Sequence, residues 1–263
     1  MHPLNPLFLH VPHASTLIPE EALVDFLVGP AALKQELLRV TDWFTDELYA
    51  DGCDSAQVVQ AGVSRLVVDV ERFAEEAQEP CSAVGMGATY VKTCDGRDLR
   101  RLTPARRMEL LAHHYWPHHQ RLNQAAEARV ASFGRCVLLD AHSFPVVPLP
   151  TQSDVRSPPE IGIGTDAAHT SPELHTLAEE FFRERGFSVG VNHPFSGTMV
   201  PNAFFARDTR VQSIMIEVRR DLYVDEAAGE RNAGFARVRS VLTELRGVLE
   251  QFSRDGRCDA WGT

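Results

Sequence analysis

The chain has 263 residues, 44% of them hydrophobic and 24% charged, which is the balance of a globular protein with room for a substantial core. Its formal net charge of −10 argues against nucleic acid or an anionic membrane as a partner, since both select for basic surfaces, although a local arginine cluster would still admit a small anionic substrate. Five scattered cysteines (Cys53, Cys81, Cys94, Cys136, Cys258) form no C-x-x-C pair, and Met1–Asn5 lacks a basic leader with a long apolar core. A reduced, cytoplasmic, soluble protein is therefore expected, and oligomeric state is not legible.

Leu7-Phe8-Leu9-His10-Val11 reads as a short strand closed by Pro12, with His13 in the loop that follows. From Ala32 to Ala50 apolar residues recur at helical spacing, interrupted at Thr41-Asp42, where Asp42 would cap a second helix ended by Gly52. Ala56–Val59 and Leu66–Val70 are rich in β-formers, with a turn between them. Glu75–Asp98 is an excursion broken by Pro80, Gly85, Gly87 and Asp95-Gly96. A helix begins at Thr103-Pro104 and runs past Pro117 to about Phe133.

Val137-Leu138-Leu139 is then a buried strand, and Asp140, His142 and Ser143 arrive where such a strand would end. Pro145–Thr165 is a proline-rich loop. Pro172–Arg185 is a helix stopped by Gly186, Phe187–Val191 a strand, and Asn192–Gly197 a loop. Val211–Val218 is the last strand and Glu226–Phe252 the closing amphipathic helix. Strands alternating with helices and no linker give one α/β domain over 1–263, a mostly parallel mixed sheet flanked by helices.

Three stretches carry chemistry. His13 and His142 each follow an apolar strand, and two imidazoles with a nearby carboxylate suit a zinc-type divalent ion, although both also fit ordinary loop histidines. Glu217 interrupts the β-branched run Ile214–Val218 and must be paired, face a polar site, or lie on the solvent side of an edge strand. Arg65 and Arg72 bracket Leu66–Glu71, where two guanidiniums would hold a carboxylate and polarise a carbonyl, or merely solubilise a strand. In His113-His114-Tyr115-Trp116-Pro117-His118-His119, His114 and His118 have chelating spacing, but Pro117 bends the helix and no carboxylate completes a set. One or two of these histidines would line a pocket.

The pieces Val11-Pro12-His13-Ala14, Thr41-Asp42-Trp43, Ser64–Arg72, Tyr115–His119, Asp140-Ala141-His142-Ser143, Gly164-Thr165, Asn192–Gly197 and Glu217 with Leu222-Tyr223 occur in an order that resembles the N-formylglutamate amidohydrolase family. These are deformylases acting at the end of one route of histidine catabolism. The resemblance implies the zinc carboxypeptidase-like (phosphorylase/hydrolase-like) fold of aspartoacylases and succinylglutamate desuccinylases. It implies metal ligands His13 and His142, with Asp42 as the third because Thr16 stands where the larger group has its carboxylate, and Glu20 a weaker substitute. It further implies Glu217 as catalytic acid–base, Arg65 as oxyanion stabiliser, and Arg72 with Asn192 or Arg220 as carboxylate binder. His119 falls at the pocket wall, and Asp140 behind a metal ligand. Glu71 occupies a position that reads Asn in relatives, where its charge would oppose a substrate carboxylate. The implied activity is zinc-dependent hydrolysis of an N-acyl amino acid, foremost N-formyl-L-glutamate, to formate and L-glutamate. A carboxypeptidase-like hydrolase or deacylase of another amide, and a non-catalytic metal-binding protein, are the alternatives.

Overall fold

The computed structural model describes residues 4–147 and 157–255, so part of the predicted proline-rich loop (148–156), and Cys258, lie outside the described residues. Strands β1 (Leu7–Val11), β2 (Val58–Gln60), β3 (Cys136–Phe144), β4 (Ile161–Gly164), β5 (Val189–Val191) and β6 (Val211–Arg219) form one sheet in the order β2-β1-β3-β6-β4-β5. Every pairing is parallel except β4 with β6. The crossovers are made by α1 (Glu20–Leu23), α2 (Pro30–Val40), α3 (Thr45–Ala50), α4 (Pro104–Leu110), α5 (Trp116–Phe133) and α6 (Pro172–Glu184). A small hairpin, β7 (Val224–Asp225) with β8 (Glu230–Arg231), precedes the last helix, α7 (Phe235–Asp255). Among the described residues no helix is long and apolar enough to cross a membrane.

The two faces of the sheet follow from side-chain alternation. One parity (Leu7, Leu9 and Val11 of β1, Val137, Leu139 and Ala141 of β3, Ile214, Ile216 and Val218 of β6) packs on α3, α6 and α7 through Leu48, Phe182, Leu242, Leu245 and Leu249. The other parity is divided along the strands. Its lower part, Phe8, Cys136 and Leu138, packs on Leu122 and Ala126 of α5. Its upper part is His10, Asp140, His142 and Glu217, all at most 6% exposed.

Four expectations change. β3 does not stop at Leu139: Asp140–Ser143 stays in register with Met215–Val218, so the polar residues lie inside the strand. Leu66–Val70 forms no strand. Leu66 packs into one apolar cluster and Val67, Val68 and Val70 into another, with backbone bonds to Ser64 and Ala88 and an Arg100 guanidinium donating to the Val67 carbonyl. Burial from several sides, rather than sheet pairing, is what these β-branched residues serve. The closing helix starts at Phe235, because the β7–β8 hairpin occupies the residues before it. The long helix is continuous but widens into a π-turn at Leu111–Tyr115, immediately before Pro117, whose missing N–H an α-helix would leave unmatched. The His114–His118 pair makes no ligand set: His118 is buried against His10, whereas His114 is only half-buried.

Candidate active site

Register alone assembles the centre of the site. His10 stands beside Asp140 and Asp140 beside Met215, and one pleat further His142 stands beside Glu217. Glu217 is therefore on an interior strand, facing a polar cluster rather than solvent. His13 joins from the turn after β1, and Asp42 from the turn after α2, tied to it by an Asp42 N–H that donates to the His13 carbonyl (3.0 Å). Arg65, Asp69, Glu71 and Arg72 come from the irregular segment that replaces the expected strand. Arg220 comes from the 3₁₀ turn after β6.

Asp42 Oδ2 lies 3.1 Å from His142 Nδ1 and 3.5 Å from His13 Nδ1. Ligands about 2.0–2.1 Å from a tetrahedral ion are about 3.3 Å apart, so this spacing fits a first coordination shell. His13 Nδ1 is buried without a hydrogen-bond partner, as an atom aimed at a cation would be. The far nitrogens are anchored by carboxylates: His13 Nε2 lies 2.9 Å from Asp69, and His142 Nε2 lies 3.0 Å from Glu71 and 3.2 Å from Asp140. Such anchoring fixes the tautomer and raises the basicity of a ligating imidazole. Glu71 is a second candidate for the third ligand, since His13, Glu71 and His142 each offer an atom within 4.8 Å of the others.

Charge is distributed unevenly. Arg220 holds Asp42 Oδ1 at 2.9 Å, and Arg65 holds Asp69 Oδ2 at 2.7 Å. Asp69 also accepts from Tyr90 Oη and from the Glu71 N–H. Burial alone would raise these carboxyls. His13, His142 and Arg220 outweigh it at Asp42, and Arg65 and His13 at Asp69, leaving both well below the usual range. Glu71 is likewise lowered against burial by His142 and His10. For His142, burial is outweighed by Glu71 and Asp140, and its pKa rises well above the ordinary value. Glu217 differs: burial, reinforced by Asp42 and opposed by His142, pushes it up to about 8, and its Oε2 has no partner.

These groups open onto a cavity of about 410 Å³ whose wall includes Arg39, Arg72, Phe73, Met86, Tyr115, His119, Phe195, Met199 and Phe205. His119 lies where the sequence placed it, one nitrogen 2.8 Å from the Val70 carbonyl. Arg72 is 31% exposed; its Nε makes no hydrogen bond but lies 3.7 Å from Asp69, and its Nη1 lies 3.7 Å from Glu79. Arg65 lines the cavity too, with Nε and Nη2 bonded to Asp69 and Nη1 to the Val40 carbonyl, which leaves one N–H on each Nη unused. Two of the assigned carboxylate binders are held by other groups in the free protein. Asn192 is absent from the cavity wall, its amide paired with Thr165 just past β4. Arg220 lines the cavity but is 3% exposed and bonded to Asp42, Ser143 and the Arg39 carbonyl, so it orients Asp42. Glu20 starts α1 and is exposed, away from the histidines. Sequence reading gave no role to His10 or Asp69. The signal for His10 was its place in the first strand, on the parity opposite Leu9 and Val11.

Known proteins bear on this arrangement. The model of the N-formylglutamate amidohydrolase family matches residues 5–224. The chain is 28% identical to an N-formylglutamate deformylase of Pseudomonas aeruginosa over 260 residues, covering 95% of this chain and 94% of the relative. It is 28% identical to one of Pseudomonas putida over 229 residues, covering 84% and 82%. The N-formylglutamate amidohydrolase of Ralstonia eutropha JMP134 superposes with a TM-score of 0.81 at 25% identity, covering 96% of this chain and 95% of that one. A gene product of Agrobacterium tumefaciens shares the fold, with a TM-score of 0.64 at 22% identity over 94% of this chain and 92% of its own. A match of that extent, on a chain whose buried histidines and carboxylates converge on one cavity, places it in the N-formylglutamate amidohydrolase family.

Proposed function

We propose that this protein hydrolyses the amide of N-formyl-L-glutamate, releasing formate and L-glutamate, with a divalent metal ion, zinc foremost, held by His13, His142 and Asp42. The observation that carries the reading is the partnerless Glu217 oxygen on the strand next to His142, beside two Nδ1 atoms that share one Asp42 oxygen. Two imidazoles and a carboxylate are a donor set suited to zinc. When bound, such an ion supplies Lewis acidity at the acyl oxygen and acidifies water from a pKa of about 15.7 towards about 7.

The chain's own groups do the rest. Glu217, pushed up to about 8 in the metal-free site, is the group poised to exchange a proton: in its ionised form it takes one from the attacking water and returns it to the departing amine nitrogen. Asp42, Asp69, Glu71 and Asp140 keep the two imidazoles in place. Arg65, through the Nη N–H groups that Asp69 and Val40 leave open, stabilises the acyl oxygen as charge develops there, and Arg72, a partly exposed guanidinium on the cavity wall, takes the substrate's α-carboxylate. Glu71 turns its two oxygens to His142 and His10 and not to Arg72. The reading treats the chain as one catalytic domain acting on a small molecule. The unpaired thiols of Cys53, Cys81, Cys94 and Cys136 suit a cytoplasmic setting.

Chelation should abolish formate release from N-formylglutamate, and added Zn²⁺ should restore it. Glu217→Gln should keep the ion while losing kcat by two or more orders of magnitude, roughly the worth of a positioned acid–base. Activity that survives complete metal removal, or a near-normal Glu217→Gln, overturns the reading. The aromatic wall made by Phe73, Phe195 and Phe205 favours one second reading, a bulkier N-acyl amino acid, which a panel of N-acyl substrates with rising acyl size would reveal by a higher kcat/KM than formylglutamate gives.

A further inference from the structure

The geometry points to a second divalent-cation site, formed by His10, Glu71 and Asp140 beside the His13–His142–Asp42 set. It rests on the metal reading of that set. His10, Glu71 and Asp140 each present one ligand atom, and the three atoms lie within 4.8 Å of one another. His10 Nδ1 is 2.8 Å from Asp140 Oδ1 and 3.4 Å from Glu71 Oε1. These are the spacings of donors around one small ion, about 3.3 Å for bonds of about 2.0–2.1 Å.

Three further features mark the cluster as prepared for a cation. First, Glu71 and Asp140 are two carboxylates side by side under a protein surface, and among the described residues neither has a lysine or arginine ion pair. Only His10 and His142 face them. Two adjacent anions in a low-dielectric site are costly without a compensating positive charge. Second, Glu71 Oε1 is buried and makes no hydrogen bond, although it is directed at the His10 ring. Third, the remaining atoms are anchored from behind, as ligands are. His10 Nε2 lies 2.8 Å from His118 Nε2, and Asp140 Oδ2 accepts from the Met199 N–H at 2.8 Å. His10 Nδ1 then faces only Asp140 Oδ1 and Glu71 Oε1, the first of which also lies 3.2 Å from His142 Nε2. Glu71 and Asp140 line the substrate cavity, so an ion there would adjoin the reacting groups.

One imidazole and two carboxylates make a harder donor set than two imidazoles and one carboxylate. The second site should therefore favour Mn²⁺ or Zn²⁺ and bind more weakly than the first.

The test is metal stoichiometry in the full-length protein. Chelated protein is titrated with Zn²⁺ and with Mn²⁺, and bound metal is read by elemental analysis after gel filtration. Two equivalents per chain are expected in the wild type, falling to one in His10→Gln and in Glu71→Gln. One equivalent in the wild type overturns the second site and leaves the first intact; it would mean that a proton on His10 satisfies the same contacts. No bound metal removes both sites together. Two equivalents retained in both variants would overturn the placement. Should either variant fail to fold, wild-type crystals loaded with Mn²⁺ decide the matter: an anomalous peak between His10, Glu71 and Asp140 is expected, and a peak confined to His13 and His142 overturns the proposal.

Discussion

At Asp42 one carboxylate oxygen is held by Arg220 at 2.9 Å while the other meets two imidazole nitrogens and the Ser143 N–H, so a single side chain joins three segments of the chain. Asp42→Asn keeps that shape but halves the donor capacity and removes the charge. Zinc affinity should fall by at least about tenfold, the lower end of what even an outer-shell substitution costs. Competition with a chromophoric chelator measures it, and unchanged affinity would hand the third-ligand role to Glu71. The two substrate-facing candidates separate just as sharply. Arg72→Ala removes a partly exposed guanidinium of the cavity wall that is held only by long ion pairs to Asp69 and Glu79, so KM for N-formylglutamate should rise about 10–100-fold, the worth of a charge-assisted hydrogen-bond pair. Asn192→Ala should leave KM within about twofold, because that amide is spent on Thr165. Equal effects of the two on KM would put Asn192 back in the carboxylate clamp.

Among the elements, the sheet shows what sequence pattern can and cannot convey. β1, β3 and β6 were legible as apolar runs, as were His13 in the loop after β1 and Glu217 within β6, whereas His142 lies inside β3 and not past its end. The grid that makes those residues neighbours was not, because it depends on register: His10 beside Asp140 and His142 beside Glu217 follow from which strand lies next to which. Leu66–Val70 misled for a related reason, since β-branched residues report burial, and burial here comes from two separate clusters instead of a sheet. The strand β4 carries the tightest constraint near the site. A Cβ on Gly164 would lie 2.1 Å from the Gly197 carbonyl oxygen and 2.5 Å from Met215 Cε. Backbone cannot give way as a side chain does, so Gly164→Ala should cost about 1–3 kcal/mol in denaturant unfolding, the range for overpacking. An unchanged midpoint would show that the Asn192–Gly197 loop shifts without penalty.

For the molecule as a whole, the buried charges set how stability depends on pH once metal is stripped away. Asp42, Asp69 and Glu71 have depressed pKa values, so their contribution is present above the ordinary carboxylate range and is lost as pH falls through it and below. Glu217 works in the opposite sense. Its carboxyl moves from 4.5 to about 8, so the folded state holds a proton that the unfolded state has released, and stability drops as pH rises across that interval. His10 and His142, both raised, add to the same alkaline decline. The chelated protein should thus be most stable in mildly acidic solution. Between pH 5 and 8 Glu217 steepens the decline by up to about 1.4 kcal/mol per pH unit, and the two histidines add to it above their ordinary value of 6.5. Glu217→Gln cannot ionise, so it should lessen the alkaline slope without abolishing it and leave the acid limb unchanged. Urea unfolding of chelated wild type and variant at pH 3, 4.5, 6.5 and 8 reads both limbs. Parallel alkaline limbs would mean that Glu217 is already ionised in the metal-free fold.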